Sequence, residues 1–259
     1  MLFGRRFLGA VDIAVGRRYN TGMIRKRNSS LLKIVFFLIF VFTFISCAKE
    51  SKPVQPIKVA CVGDSITFGA GLEDWRTDSY PAVLGRILGN GYDVKNFGVN
   101  GRTALRKSKS SYWNMKQFRR AIVYKPNIVI IKFGTNDSKP ENWRYKDEFE
   151  KDYGDLVDTF LNLPSHPKVF ICQPVPVFSK NYTVSDSVIA NEIIPIIEKV
   201  GKVKKVKVIE LYKVFSGKEK LFHDGLHLNE EGCAFMAKEI YRAMTGKEGI
   251  IKEPATRKN

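Results

Sequence analysis

The chain of 259 residues has only four cysteines, and none of them stands in a C-x-x-C pair or another zinc-ligand spacing. The usual signature of a structural metal is therefore missing. It also lacks an apolar run of the roughly 20 residues that a membrane-spanning helix needs. The longest candidate, IVFFLIFVFTFI (34–45), is too short and is interrupted by Thr43. Internal repeats are absent, which argues against solenoids and propellers. Acidic residues are outnumbered, 26 against 43 Lys and Arg, for a formal net charge of +17. What is present is enough apolar content, 44%, for one packed domain and marginal content for two.

The N-terminal stretch stands apart from that domain. MIRKRNSS (23–30) is basic, and with Arg25, Lys26, Arg27 and Lys33 ahead of the apolar run it suits the n- and h-regions of a secretory signal. Residues 1–46 are expected to be that signal peptide. Residues 1–22 fit no part of it, which makes Met23 an alternative true start. The run ends in FISC, and Ser46-Cys47 resembles the lipobox of bacterial lipoproteins, although Phe44 stands where Leu or Val is usual. The resemblance implies lipidation of Cys47, a polar tether over 47–56 (CAKESKPVQP) and an exported protein of the bacterial cell envelope. Such a protein would be anchored at the outer membrane or periplasmic, touching membrane through its N-terminal lipid only. The competing reading is an ordinary cleaved signal.

Residues 1–46 hold eight Lys or Arg and one acid, Asp12, so +10 of the +17 belongs to the remainder. A basic surface favours anionic partners such as acidic glycans or lipid head groups. Nucleic acid is not expected outside the cytoplasm. GKVKKVKV (201–208) alternates Val with Lys and reads as the lead-in to a strand with a solvated lysine face. With Cys47 assigned to lipid, Cys61, Cys172 and Cys233 remain, an odd number. Cys61 and Cys172 lie in apolar runs, where a thiol behaves as a small hydrophobe. No essential disulfide and no structural metal are expected.

From residue 57 the pattern alternates. IKVACV (57–62), YDVKNF (92–97), NIVIIKF (127–133), KVFICQP (168–174) and KVKVIEL (205–211) read as strands. Most are continuously apolar, as suits a sheet covered on both faces. Between them lie helical patterns beginning at Ser79, Met115, Glu148, Asp186 and Asn229, with Pro195 expected to kink or divide the fourth. The fold class expected is α/β: a three-layer α/β/α sandwich around a mainly five-stranded parallel sheet. The domain is placed at 57–247 and a basic tail at 248–259.

Four segments then supply polar residues of one chemical kind: GDSIT (63–67), NFGVNG (96–101), GTND (134–137) and DGLHLN (224–229). Attack on an ester needs a nucleophile, a base, a group that orients the base, and donors for the oxyanion. Ser65 can be the nucleophile, His227 the base and Asp224 its orienting group, if Gly225 lets the chain turn. The oxyanion donors would be the Ser65 N–H, the Gly101 N–H and the Asn136 side chain. Gly101 is preferred to the nearby Gly98 because it lies five residues after Asn96. A side chain at Gly101 is expected to block close approach of the backbone. Taken alone, Ser65 reads more readily as a helix N-cap, Asn136 and Asp137 as turn residues, and His227 as a helix-entry residue before the Asn229 cap. Asp64 is expected to brace its loop. His223 and His166 lack partners at motif spacing and read as surface residues.

The four blocks, in this order, resemble those of the SGNH or GDSL hydrolases across about residues 57–245. That resemblance implies a flavodoxin-like fold and hydrolysis of acyl esters through an acyl-serine, with no metal and no cofactor. The G-x-S-x-G elbow of the α/β-hydrolases is absent. DSYPAVLGRIL (78–88) and IKFGTNDSKPENW (131–143) look most like members acting on acetylated sugars, including sialate O-acetylesterase-like proteins. The expected partner is thus an acylated small molecule or glycan. A lysophospholipase or short-chain lipase, and a glycan-binding lipoprotein without turnover, are the alternatives. Trp75, Trp113 and Trp143 are placed in loops, either to stack on sugar rings or to pack at a rim.

Overall fold

A computed structural model describes residues 33–34, 36–37 and 55–251. The signal-peptide and Cys47 expectations, most of the tether and residues 252–259 lie outside the described residues. The chain divides into two compact units, residues 1–54 and those from Gln55 onward. In the first, Lys33, Ile34, Phe36 and Phe37 are helical and exposed. Among the described residues no helix is long and apolar enough to cross a membrane.

The second unit is built on five parallel strands, β1 (Ile57–Gly63), β2 (Tyr92–Gly98), β3 (Ile128–Lys132), β4 (Lys168–Cys172) and β5 (Lys207–Ile209), in the order β2-β1-β3-β4-β5. Its helices include α1 (Ser65–Phe68), α2 (Tyr80–Leu88), α3 (Lys116–Val123), α4 (Phe149–Leu161), α5 (Ile194–Lys204) and α6 (Glu230–Thr245). Alternation along each strand sends side chains to opposite faces. Ala60, Val62, Val129, Ile131, Val169 and Ile171 pack on one side with Phe118 of α3, Tyr153, Val157 and Phe160 of α4, and Ile197 of α5. Val59, Cys61, Ile130, Phe170 and Cys172 pack on the other with Val83, Leu84 and Ile87 of α2 and Met236, Ala237 and Ile240 of α6. Both faces being covered is why the strands read as unbroken apolar runs, and each buried Val, Ile or Phe contributes about 1.5–3 kcal/mol. The expected three-layer architecture is the one observed.

One local expectation changes and another holds. GKVKKVKV is not a strand lead-in: α5 continues through Lys204, Lys205 takes φ +53 at its C-cap, and the strand is only Lys207–Ile209. A Cβ at Gly201 would lie 2.4 Å from Val208 Cγ2, so the turn brings the strand directly back against the helix. The helix expected from Asp186 is divided as Pro195 implied. A π-helical stretch, Ile189–Ile193, precedes α5, and Pro195 sits in the first turn of α5. Part of the tail also folds: Ile251 packs against the second core face, and Gly249 lies against Ile87 and Tyr241.

In an open α/β sheet, ligands bind beyond the carboxyl ends of the strands where the strand order reverses. Here the reversal lies at β1, with β2 on one side and β3 on the other. Gly63 at the end of β1 is in register with Gly98 of β2 and Lys132 of β3. The loops carrying Ser65, Gly101 and Asn136 therefore leave the sheet side by side.

Candidate active site

Ser65 is the first residue of α1, but it is not the cap. Asp64 caps the helix, accepting from the Ile66 N–H at 3.0 Å, which leaves the Ser65 hydroxyl free for another partner. That partner is His227: Ser65 Oγ lies 3.1 Å from His227 Nε2. On the other side of the ring, Nδ1 lies 2.8 Å from Asp224 Oδ2. The remaining Asp224 oxygen, Oδ1, accepts from the backbone of Leu226 at 2.9 Å and of His227 at 2.7 Å. Burial raises the Asp224 carboxyl, but the His227 side chain and backbone, Tyr182 and Leu226 outweigh it. Their hydrogen bonds hold Asp224 well below the usual carboxylate range.

This arrangement depends on a tight loop. Phe222 and Leu228 bridge antiparallel, and the His223 N–H donates to the His227 carbonyl at 3.0 Å. Gly225 turns the loop at φ +79, and a Cβ there would lie 2.7 Å from the Ser179 nitrogen, so both conformation and packing require glycine. Asn229 then caps α6 by accepting from the Gly232 N–H, as its sequence position predicts.

The two glycines meet different constraints. Gly98 donates its N–H to Asn96 Oδ1 at 2.9 Å, and a Cβ there would sit 2.3 Å from the Phe68 nitrogen. It is committed to packing β2 on α1. Gly101 has φ +73, and its N–H bonds to no described residue. A Cβ on Gly101 would meet nothing within 4 Å. The steric block expected at Gly101 is therefore not what its neighbourhood shows; the left-handed backbone is what favours glycine. Asn136, 5% exposed, donates from Nδ2 to the carbonyl of Arg102, the residue after Gly101, at 3.2 Å.

Beneath these loops lies a buried polar support that the sequence reading caught only at Asp64. Lys132 Nζ lies 3.2 Å from Asp64 Oδ2 and donates to Thr135 Oγ1 at 2.8 Å; both ionic side chains are fully buried. Burial pushes the Lys132 ammonium below its ordinary value, against the opposing pull of Asp64. Asp137 takes the Leu105 N–H and the Gly134 N–H, each at 3.0 Å, tying Leu105, three residues beyond Arg102, to the Asn136 turn. Burial pushes its carboxyl up to about 7 despite these bonds.

Two further residues escaped the sequence reading. Tyr182 donates its phenol to Asp224 Oδ2 at 2.6 Å and sets its ring edge-on to His227, centroids 5.9 Å apart. His223 is no isolated surface histidine. Its ring stacks on His227 at 5.9 Å between centroids, and Nε2 lies 3.8 Å from Asp224 Oδ2. His223 adjoins Asp224 in sequence, a signal that motif spacing alone passes over. The tryptophans lie in short helical turns and pack: Trp143 is buried and donates to Glu192, Trp113 donates to the Ala104 carbonyl, and Trp75 stacks on Phe68. Cys61, Cys172 and Cys233 are buried free thiols. Burial pushes the Cys172 and Cys233 thiols up to about 12, which leaves them without thiolate character.

Tyr182→Phe tests the phenol contact. Asp224 is depressed in the folded state, so its contribution to stability is present above the unfolded carboxylate value and is lost as pH falls. Removing one donor to this partly exposed carboxylate is expected to cost about 0.5–1 kcal/mol at pH 7. The difference should shrink below about pH 4. Denaturant titrations at the two pH values check this; an equal cost at both would locate the effect in ring packing.

A serine, an imidazole and a carboxylate in sequential contact, beside unengaged N–H donors, match the requirements of acyl transfer. Comparisons with known proteins point the same way. The chain is 39% identical over 206 residues to an acetylxylan esterase of Xylanibacter ruminicola. The match covers 73% of this chain and 43% of that protein, so the chain spans less than half the length of this curated relative. The fold is shared with the lipase/acylhydrolase from Enterococcus faecalis, with a TM-score of 0.59 and 24% identity over 76% of this chain and 100% of that one. It is shared equally with a carbohydrate acetylesterase from Sinorhizobium meliloti, with a TM-score of 0.60 and 20% identity over 73% and 99%. The model of the GDSL-like lipase/acylhydrolase family matches residues 61–235, well over half of the sequence, and the chain belongs to that family.

Proposed function

We propose that the protein hydrolyses acyl esters, most directly O-acetyl esters on carbohydrates, by attack of Ser65. The observation that carries this reading is the unbroken contact from Ser65 Oγ through the His227 ring to Asp224. With Nδ1–H held by Asp224, Nε2 accepts the serine proton as Oγ bonds to the ester carbonyl carbon. The carbonyl oxygen gains the negative charge and is met by the Ser65 N–H, the Gly101 N–H and Asn136 Nδ2. Collapse expels the alcohol, which takes the proton from His227. Water then attacks the acyl-serine by the same route, with His227 again the base.

The carbohydrate acetyl substrate is supported by the acetylxylan esterase relative and by the polar segments RKSKSSYWN (106–114) and SKPENWRYKDE (138–148), whose composition suits a hydrated substrate better than a long acyl chain. Export through the N-terminal signal and anchoring through Cys47 complete the proposal. They would bring the basic surface to glycans outside the cytoplasm.

Acetate release from acetylated xylan, acetylated sialic acid and acetylated pectin tests the reading, with Ser65→Ala in parallel and p-nitrophenyl acetate against a long-chain ester as controls. Ser65-dependent acetate from one glycan is the expected result. Turnover of long-chain esters alone would make it a lipase, and no Ser65-dependent turnover on any ester would make it a binding protein.

A further inference from the structure

His223, Asp224 and His227 present ligand atoms that all lie within 4.8 Å of one another. We propose that these three residues form a binding site for a divalent transition metal, and that its occupation switches the enzyme off. Two imidazoles and one carboxylate form a donor set suited to zinc, copper, nickel or cobalt, and not to magnesium or calcium, which prefer all-oxygen sites.

Two of the three ligand–ligand edges are close to those around a coordinated cation. Metal–ligand bonds of about 2.0–2.2 Å imply a tetrahedral ligand–ligand edge of about 3.3 Å. Asp224 Oδ2 is 2.8 Å from His227 Nδ1 and 3.8 Å from His223 Nε2, so these two separations need to change by about half an ångström, and the third, between the imidazole nitrogens and within 4.8 Å, closes by up to about 1.5 Å. The loop is prepared for this. It is closed by the bond from the His223 N–H to the His227 carbonyl and clamped by Phe178 and Ser179, both of which donate to the Gly225 carbonyl. His223 rests on Gly71, where a Cβ would lie 1.8 Å from its Nε2. Tyr182 already donates to Asp224 Oδ2, the kind of outer contact that orients a metal-ligating carboxylate. His223 is exposed and Asp224 and His227 are partly so, which gives the cation and a completing water a way in.

Inhibition follows from proton placement. The neutral ring that accepts from Ser65 carries its proton on Nδ1. As the Nδ1–H bond breaks and the proton moves to Nε2, the electron pair left on Nδ1 binds the cation in place of the hydrogen bond to Asp224. The nitrogen facing Ser65 is then a donor and no longer accepts the hydroxyl proton. No electron is transferred and no net proton is needed.

The consequence for activity rests on the catalytic assignment above, whereas binding does not. Calorimetric titration of zinc chloride into chelator-treated Ser65→Ala protein should therefore show one site per chain. His223→Gln, which keeps a polar side chain of similar size against Gly71, should weaken that site at least tenfold. Cobalt should give absorption bands of a low-coordinate site that are lost in the same variant. In the wild type, p-nitrophenyl acetate hydrolysis should fall along the zinc binding curve, recover on adding EDTA and be indifferent to magnesium. Zinc affinity unchanged by His223→Gln would overturn the site. His223-dependent binding without loss of turnover would overturn the switch. If the protein cleaves no ester, calorimetry and the cobalt spectrum still decide the site.

Discussion

Ser65→Ala will lower kcat on p-nitrophenyl acetate by about 10⁴-fold or more, with unfolding midpoint and KM little changed. The hydroxyl makes one described side-chain contact, to His227 at 3.1 Å, while the capping of α1 falls to Asp64. Removing Oγ therefore takes away the bond-forming atom and leaves the helix intact. His227→Ala should cost a comparable factor, because without the base the hydroxyl is a poor nucleophile. The informative variant is the double one. If the two residues act as one unit, Ser65→Ala/His227→Ala will be no slower than either single change, and the residual rate will belong to the oxyanion donors and substrate binding. Stopped-flow or steady-state rates on the three variants decide it. A Ser65→Ala protein keeping more than about a tenth of wild-type kcat would sink the assignment, since even one lost oxyanion donor costs more.

The second large effect is on stability. Lys132→Met will destabilise the domain by about 3–5 kcal/mol, because it strands the Asp64 carboxylate in a fully buried site. For a domain of this size that lowers the unfolding midpoint by roughly 6–20 °C. The Asp64 carboxylate keeps only the Ile66 N–H among its described hydrogen-bond partners once Lys132 is gone. Asp64→Leu should cost as much for the converse reason, and would also uncap α1. The double replacement of Asp64 and Lys132 by apolar residues should recover part of either loss, because it removes both desolvation penalties together. Thermal denaturation of the four proteins forms the cycle. If the single losses simply add in the double variant, the two groups are uncoupled and the pair is not what holds the loop.

The architecture was legible because its grammar is simple: five short apolar runs separated by amphipathic ones permit little besides a parallel sheet covered on both faces. Ser65, Asn136, Asp224 and His227 were legible because each lies in a block tied to a strand end or a helix entry. The supporting residues were harder to see. Lys132 reads as the polar end of a strand, and only the fold shows it entering the interior to meet Asp64, 68 positions away. Tyr182 lies in SKNYTVSD (179–186), a stretch without periodicity, and reaches Asp224 across 42 positions. GKVKKVKV was misread because alternating Val and Lys satisfies a strand and a helix end almost equally. The choice was made by the close seat of Val208 on Gly201, a tertiary contact that no local pattern contains.

Ser65 and His227 stand 162 positions apart, with β2, β3, β4 and β5 all between them. Under the proposed mechanism, a chain emerging from a ribosome amino end first thus carries its nucleophile long before it has a base. Every form without the His227 loop would then lack its base, and so would any amino-terminal fragment cut within that interval and separated. On that mechanism hydrolysis would begin only once the loop carrying His227 reaches the sheet, so the first molecule of product would report that the strands between the two residues are in place.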